Sequence, residues 1–140
     1  MTFEREFLIR FQHCDPAGIV FYPRYFEMFN EVIEDWFAEA LEMPFQRLHI
    51  EQGLGVPIVR ADCSFLQASR IGDRLQFSLA VEELGRSSIQ LTMRAARGEE
   101  VRLDAHLTLV CVVLGDELRS HAIPDDLRHS MLRFVPVPTE

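Results

Sequence analysis

The chain has 140 residues, 48% of them hydrophobic, 26% charged and 10% aromatic, and carries a formal net charge of −8. Length and composition fit one globular domain, residues 1–140, and lie far from the polar, aromatic-poor make-up of disorder. The acidic balance opposes a nucleic-acid partner, whose phosphates need clustered positive charge, and no run of 18 apolar residues is present to act as a membrane span. The first ten residues, MTFEREFLIR, are charged where a signal peptide needs an apolar stretch, so a cytoplasmic protein is expected. Cys14, Cys63 and Cys111 are odd in number, widely spaced and outside any C-x-x-C pair, which suggests neither a disulfide framework nor a zinc site. All 14 basic residues are arginine, whose planar fork suits phosphate and carboxylate, so a small anionic ligand is compatible with the charge.

Residues 3–11 alternate, with Phe3, Phe7, Ile9 and Phe11 on one side, and predict a half-buried strand. The run FQHCDPAGIVFYPRY at 11–25 follows. A connector needs turn formers, but it has no need of His13, Cys14 and Asp15 crowded beside aromatics. From Pro23, which suits a first helical turn, PRYFEMFNEVIEDWFAEAL repeats Phe26, Phe29, Ile33, Trp36, Phe37 and Ala40 at three- and four-residue spacing. Tyr25, Met28 and Val32 widen that arc, and Arg24, Glu27, Glu31, Glu34 and Asp35 keep one wet strip. The spacing therefore predicts a core helix with one solvated face. The helical aromatics read as core packing.

Beyond the helix the periodicity changes to two. LGVPIVRADCSFLQA at 54–68 and RLQFSLAVEEL at 74–84 read as strands, the second with Leu75, Phe77, Leu79 and Val81 alternating. Two further runs, 87–97 and 100–114, carry Ile89, Leu91, Met93, Ala95 and then Val101, Leu103, Ala105, Leu107, Leu109. Gly72 and Asp73, Gly85 and Gly98 punctuate them. The order β, long α, then four strands predicts an α+β fold, an antiparallel sheet laid against one helix. One helix leaves part of such a sheet uncovered, so association with another subunit is expected.

The run DPAGIVFYPRY, the later GVPIV and the β-α-β-β-β-β order resemble the hot-dog-fold acyl-CoA thioesterases, and within them the 4-hydroxybenzoyl-CoA thioesterase family. The resemblance spans nearly the whole chain. It implies an antiparallel sheet wrapped around a central helix, hydrolysis of an acyl-CoA thioester with an aromatic acyl group, and no cofactor, coenzyme A being part of the substrate. In that family the aspartate of D-P-A-G is the catalytic carboxylate, acting as nucleophile or as base for water, and it falls on Asp15. The backbone N–H that holds the carbonyl oxygen falls on Tyr22, where the first amides of a helix lack internal partners and meet the positive end of the helix dipole. The acyl pocket falls on Phe45, Val56, Pro57 and Ile58.

Coenzyme A phosphates need positive charge at the pocket mouth. The family places it on a basic hairpin, here ELGRSS with Arg86 and Ser87, and on an arginine after the last strand, here Arg119; either arginine reads equally as a solvated surface charge. The resemblance also implies a homodimer or homotetramer with sites at subunit interfaces. His13 reads as an exposed rim side chain and Cys14 as a small buried hydrophobe. His49, His106, His121 and His129 are not read as a metal-ligand set with acids or cysteines, so no metal is expected. Two other functions are compatible with the fold: a hydroxyacyl thioester dehydratase using His13 with Asp15, and a non-catalytic acyl-CoA-binding module.

Overall fold

The computed structural model describes residues 1–137. After strand β1 (Phe3–Leu8) and a short 3-10 turn (Phe11–His13), helix α1 runs over Pro23–Asp35 and continues in a wider π-type turn, Trp36–Ala40. A second such turn (Arg47–Glu51) leads to β2 (Leu54–Gly55) and β3 (Ile58–Phe65). The long strands β4 (Arg74–Leu84), β5 (Ser88–Arg97) and β6 (Glu100–Val110) follow, then β7 (Val112–Val113), β8 (Arg119–Ser120) and helix α2 (Asp125–Leu132).

The main sheet is antiparallel in the order β1-β4-β5-β6-β3, and β2, β7 and β8 form a small second sheet. The alternation in the sequence sets which face is covered: Leu75, Phe77, Leu79 and Val81 of β4 and Ile89, Leu91, Met93 and Ala95 of β5 are all fully buried. They meet Phe29, Val32, Trp36 and Phe37 of the central helix in one apolar cluster. An edge-on aromatic contact joins the layers, Phe29 to Phe77 at 6.3 Å, and another links β1 to β4 within the sheet, Phe7 to Phe77 at 5.1 Å. Burying each such side chain stabilises the fold by roughly 1.5–3 kcal/mol. Pro23 occupies the first helical position, as its spacing predicts.

Four sequence expectations are corrected. Phe11 does not continue the inward face of β1; the strand ends at Leu8 and Phe11 is 84% exposed on the 3-10 turn. The run at 54–68 is two strands, because Pro57 has no N–H for a ladder and separates β2 from β3. The last run also breaks, at Cys111, so that β6 and β7 join different sheets. Helix α2 lies beyond the strands read from periodicity, and its Leu127 and Met131 close one end of the core.

The two hairpin glycines serve different ends. Gly98 has a left-handed φ of +61°, which a side chain would strain. At Gly85 a Cβ would lie 2.3 Å from Ser88 Oγ, so a side chain there would turn that hydroxyl aside.

Candidate active site

Asp15 stands on a tight turn. Its carbonyl accepts the Gly18 N–H at 2.9 Å, its carboxylate Oδ1 accepts the Ala17 N–H at 2.9 Å, and Gly18 closes the turn at φ +81°. The Asp15 N–H donates to the Ile19 carbonyl at 3.0 Å, and Cys14 pairs with Val20 in an antiparallel bridge. The carboxylate is thereby half-buried and held from both sides, with Oδ2 free of the turn's own bonds.

The same segment prepares a donor. The Phe21 N–H is committed to the His13 carbonyl at 2.9 Å, and the Arg24 and Tyr25 N–H groups fold back on Phe21 and Tyr22 at 2.8 and 3.0 Å. Pro23 has no N–H. Among the described residues, the Tyr22 N–H is the backbone donor at this helix start with no hydrogen-bond partner, and the helix dipole adds partial positive charge there.

Asp15 and Tyr22 line one cavity of about 680 Å³, with Ile19, Tyr25, Phe65 and Ser69 among its walls. Tyr25 stacks on Phe65 with ring centroids 5.7 Å apart and planes at 26°, and Tyr22 approaches the same ring at 6.1 Å. Burial pushes the Tyr25 phenol above its usual range, partly offset by the Ser69 hydroxyl, so it is a neutral hydroxyl at physiological pH. A smaller cleft of about 370 Å³, lined by Phe11, Cys14 and Ile71, reaches Asp15 from its other side. The arrangement sets a carboxylate and a free amide at the edge of a largely apolar, aromatic-walled space, which is what acyl transfer to water requires.

The remaining expected residues do not join this cavity within one chain. Phe45, Val56 and Pro57 line a separate hollow of about 290 Å³, with Asn30 and His49, where Phe45 packs on Phe37 and His49 with centroids 5.1 and 4.9 Å away. Ile58 is half-buried against the core. Arg86 is exposed at the tip of the β4–β5 hairpin, its carbonyl held by the Ile123 and Arg128 N–H groups, and the Ser87 carbonyl accepts the Cys111 N–H. Arg119 is exposed on β8.

His13 is half-buried, not on an exposed rim. Its Nδ1 accepts the Arg10 N–H at 2.8 Å, and it lines a different hollow with Arg24, Glu27 and Glu31. Burial lowers its proton affinity, and the charges of Arg10 and Arg24 lower it further. Cys14 is likewise half-buried. Among the described residues no three His, Cys, Asp or Glu side chains are grouped to hold a metal ion, and no helix is long and apolar enough to cross a membrane.

Sequence reasoning missed Tyr25, Phe65 and Ser69. Tyr25 was absorbed into the helix's apolar arc, and the only available signal was its hydroxyl. Phe65 and Ser69 reach the cavity because β6 pins the segment after β3 against the Asp15 turn, a contact between positions some 50 residues apart that local periodicity does not encode.

Residues 9–132 match the family described as the thioesterase-like superfamily. The chain belongs to that superfamily. Over 136 residues this superfamily member is 30% identical to the 4-hydroxybenzoyl-CoA thioesterase of Pseudomonas sp. (strain CBS-3), covering 94% of this chain and 89% of that protein. It is 26% identical over 127 residues to the 1,4-dihydroxy-2-naphthoyl-CoA hydrolase of Nostoc punctiforme, covering 91% and 84%. Among solved structures it is similar to a mutant 4-hydroxybenzoyl-CoA thioesterase complexed with 4-hydroxybenzoyl-CoA, with a TM-score of 0.87, 26% identity and coverage of 93% and 98%. A gentisyl-coenzyme A thioesterase gives 0.81 at 29% identity, covering 89% and 98%. The fold of this thioesterase-superfamily chain is accordingly the hot-dog fold, α+β, with the sheet wrapped around α1.

Proposed function

We propose that the protein hydrolyses an aromatic acyl-CoA thioester, with Asp15 as nucleophile or general base and the Tyr22 N–H as the donor to the carbonyl oxygen. The observation that carries this reading is the shared cavity: Asp15, whose Oδ1 is anchored by the Ala17 N–H, and Tyr22, whose N–H has no partner at the helix start, line the same largely apolar space. In the water-mediated form, Asp15 takes a proton from water as its oxygen adds to the carbonyl carbon. The oxyanion is held by the Tyr22 N–H, and collapse expels the coenzyme A thiolate, which is then protonated. In the covalent form, Asp15 Oδ2 adds instead, the C–S bond breaks to leave a mixed anhydride, and water cleaves the anhydride. Both forms stabilise charge that exists only in the transition state.

The aromatic walls support an aryl acyl group, because offset and edge-on ring pairs add roughly 0.5–1.5 kcal/mol beyond burial. The relatives are named for 4-hydroxybenzoyl-CoA and 1,4-dihydroxy-2-naphthoyl-CoA, and about 680 Å³ accommodates either acyl group. Arg86 with Ser87 and Arg119 are the proposed contacts for the coenzyme A phosphates. Phe45, Val56, Pro57 and Ile58 complete the acyl pocket only if a second copy brings its own set to Asp15, so the active form is a homodimer or homotetramer with sites at the interfaces. The exposed edge strand β3, with Val59 and Phe65 at its surface and Leu66 just beyond its end, supports such an assembly. A cytoplasmic setting agrees with three free cysteines.

A dehydratase draws no support, since His13 lines another hollow and its Nδ1 is committed to Arg10. The test is thiol release from benzoyl-, hydroxybenzoyl-, naphthoyl-, phenylacetyl- and aliphatic CoA esters. A preference of tenfold or more for an aryl ester, about 1.4 kcal/mol in transition-state binding, supports the reading. Binding without thiol release would instead leave a non-catalytic acyl-CoA module.

A further inference from the structure

Outside the cavity, one buried charge does more than fill space. Arg102 on β6 has a side chain only 7% exposed. Its Nη1 lies within hydrogen-bond distance of three acceptors, the Ala68 carbonyl at 3.0 Å, the Ser69 hydroxyl at 3.0 Å and Asp73 Oδ2 at 2.9 Å, and Glu100 lies 2.6 Å from its Nε. Its own carbonyl accepts the Leu66 and Gln67 N–H groups at 2.8 and 3.2 Å. One residue thus grips, by main chain and side chain, every position from Leu66 to Ser69, the segment that forms a wall of the Asp15 cavity.

The grip passes onward to the carboxylate. The Ser69 carbonyl accepts the Val20 N–H at 2.9 Å, Arg70 pairs with Ile19, and the Ile19 carbonyl accepts the Asp15 N–H. Ser69 is 1% exposed and Tyr25 5%.

We propose that Arg102 is a positioning residue for thioester hydrolysis: it fixes the Leu66–Ser69 wall against the Asp15 turn, and so sets how the acyl group meets the carboxylate. The proposal rests on the thioesterase reading given above. Misplacing a reacting group by about 1 Å costs on the order of 100-fold in rate, and a wall with a single charged anchor is where such a shift originates. Lysine keeps a charge opposite Asp73 but has a single nitrogen, and cannot reach the Ala68, Ser69 and Asp73 acceptors and Glu100 together as Nη1 and Nε do.

The experiment compares Arg102→Lys and Ser69→Ala with the wild type in thiol release from an aryl-CoA ester, kcat and KM being separated and folding followed by circular dichroism. The expected result is a kcat tenfold or more below wild type for Arg102→Lys and three- to tenfold below for Ser69→Ala, with KM within threefold in both. Ser69→Ala leaves every ion pair in place, so it decides the matter if Arg102→Lys does not fold. A kcat equal to wild type in folded Arg102→Lys, or in Ser69→Ala, overturns the proposal, as does a loss that falls on KM alone. A wild type that releases no thiol contradicts the thioesterase reading itself, a result distinct from active wild type with unaffected variants.

Discussion

The carboxylate of Asp15 and the backbone of Ala17 divide the work of one turn: Oδ1 accepts the Ala17 N–H at 2.9 Å, which leaves Oδ2 as the oxygen turned to other partners. An Asx turn of this kind is usually only local scaffolding. Here it fixes the aim of a half-buried acid at the boundary of two clefts.

Gly18 keeps that aim. At φ +81° it occupies the left-handed region, and no atom lies within 4 Å of where a Cβ would sit, so substitution brings strain without a clash. Gly18→Ala is expected to destabilise the protein by about 1–2 kcal/mol and to lower kcat as the turn relaxes. Thermal melts with parallel rate measurements check both.

Asp73 carries the pH dependence. The Arg70 N–H first, and Arg102 and Arg97 with it, hold its carboxyl below the usual aspartate range against the opposing effect of burial. The folded state therefore prefers the ionised form. Its stabilisation is present above the ordinary value of about 3.9 and is lost as pH falls through the lower folded value. Asp73→Asn keeps an acceptor but removes the charge facing Arg102, which still has Glu100, so denaturant titration at neutral pH should show a loss of about 1.5–3 kcal/mol. Below about pH 4 the gap between wild type and variant should narrow.

Glu42, just past the π-type turn, has φ +54°, and the Met43 N–H reaches back to the Phe37 carbonyl at 2.8 Å. This is a helix stop that favours glycine. Glu42→Gly is expected to raise stability by about 1 kcal/mol without altering turnover, which equilibrium unfolding would reveal.

Phe65 separates aromatic selectivity from catalysis. It faces both Tyr22 and Tyr25. Phe65→Ala is expected to reduce the ratio of kcat/KM for aryl over aliphatic CoA esters by about two- to tenfold, the size of an aromatic pair. An unchanged ratio would remove Phe65 from the acyl site.

The central helix and the inward faces of β4 and β5 were legible because their periods of 3.6 and 2 reflect burial on one side. The turn at Asp15 and the helix start behind it were legible because turn formers run directly into Pro23. What periodicity hid was Arg102. It sits between the pairs Ala96–Val101 and Ala95–Leu103, the unpaired residue of a bulge, and so is buried beside Leu103 where strict alternation would turn it outward. The pocket expected around Phe45, Val56 and Pro57 also lies away from Asp15 in one chain, a spatial relation that spacing along the sequence does not carry.

The most direct test of the account is thiol release from an aryl-CoA ester by Asp15→Asn. Asparagine preserves the acceptor for the Ala17 N–H but can neither attack nor take a proton, so kcat should fall on the order of 10²–10⁴-fold with KM little changed. Thiol release at the wild-type rate would contradict it.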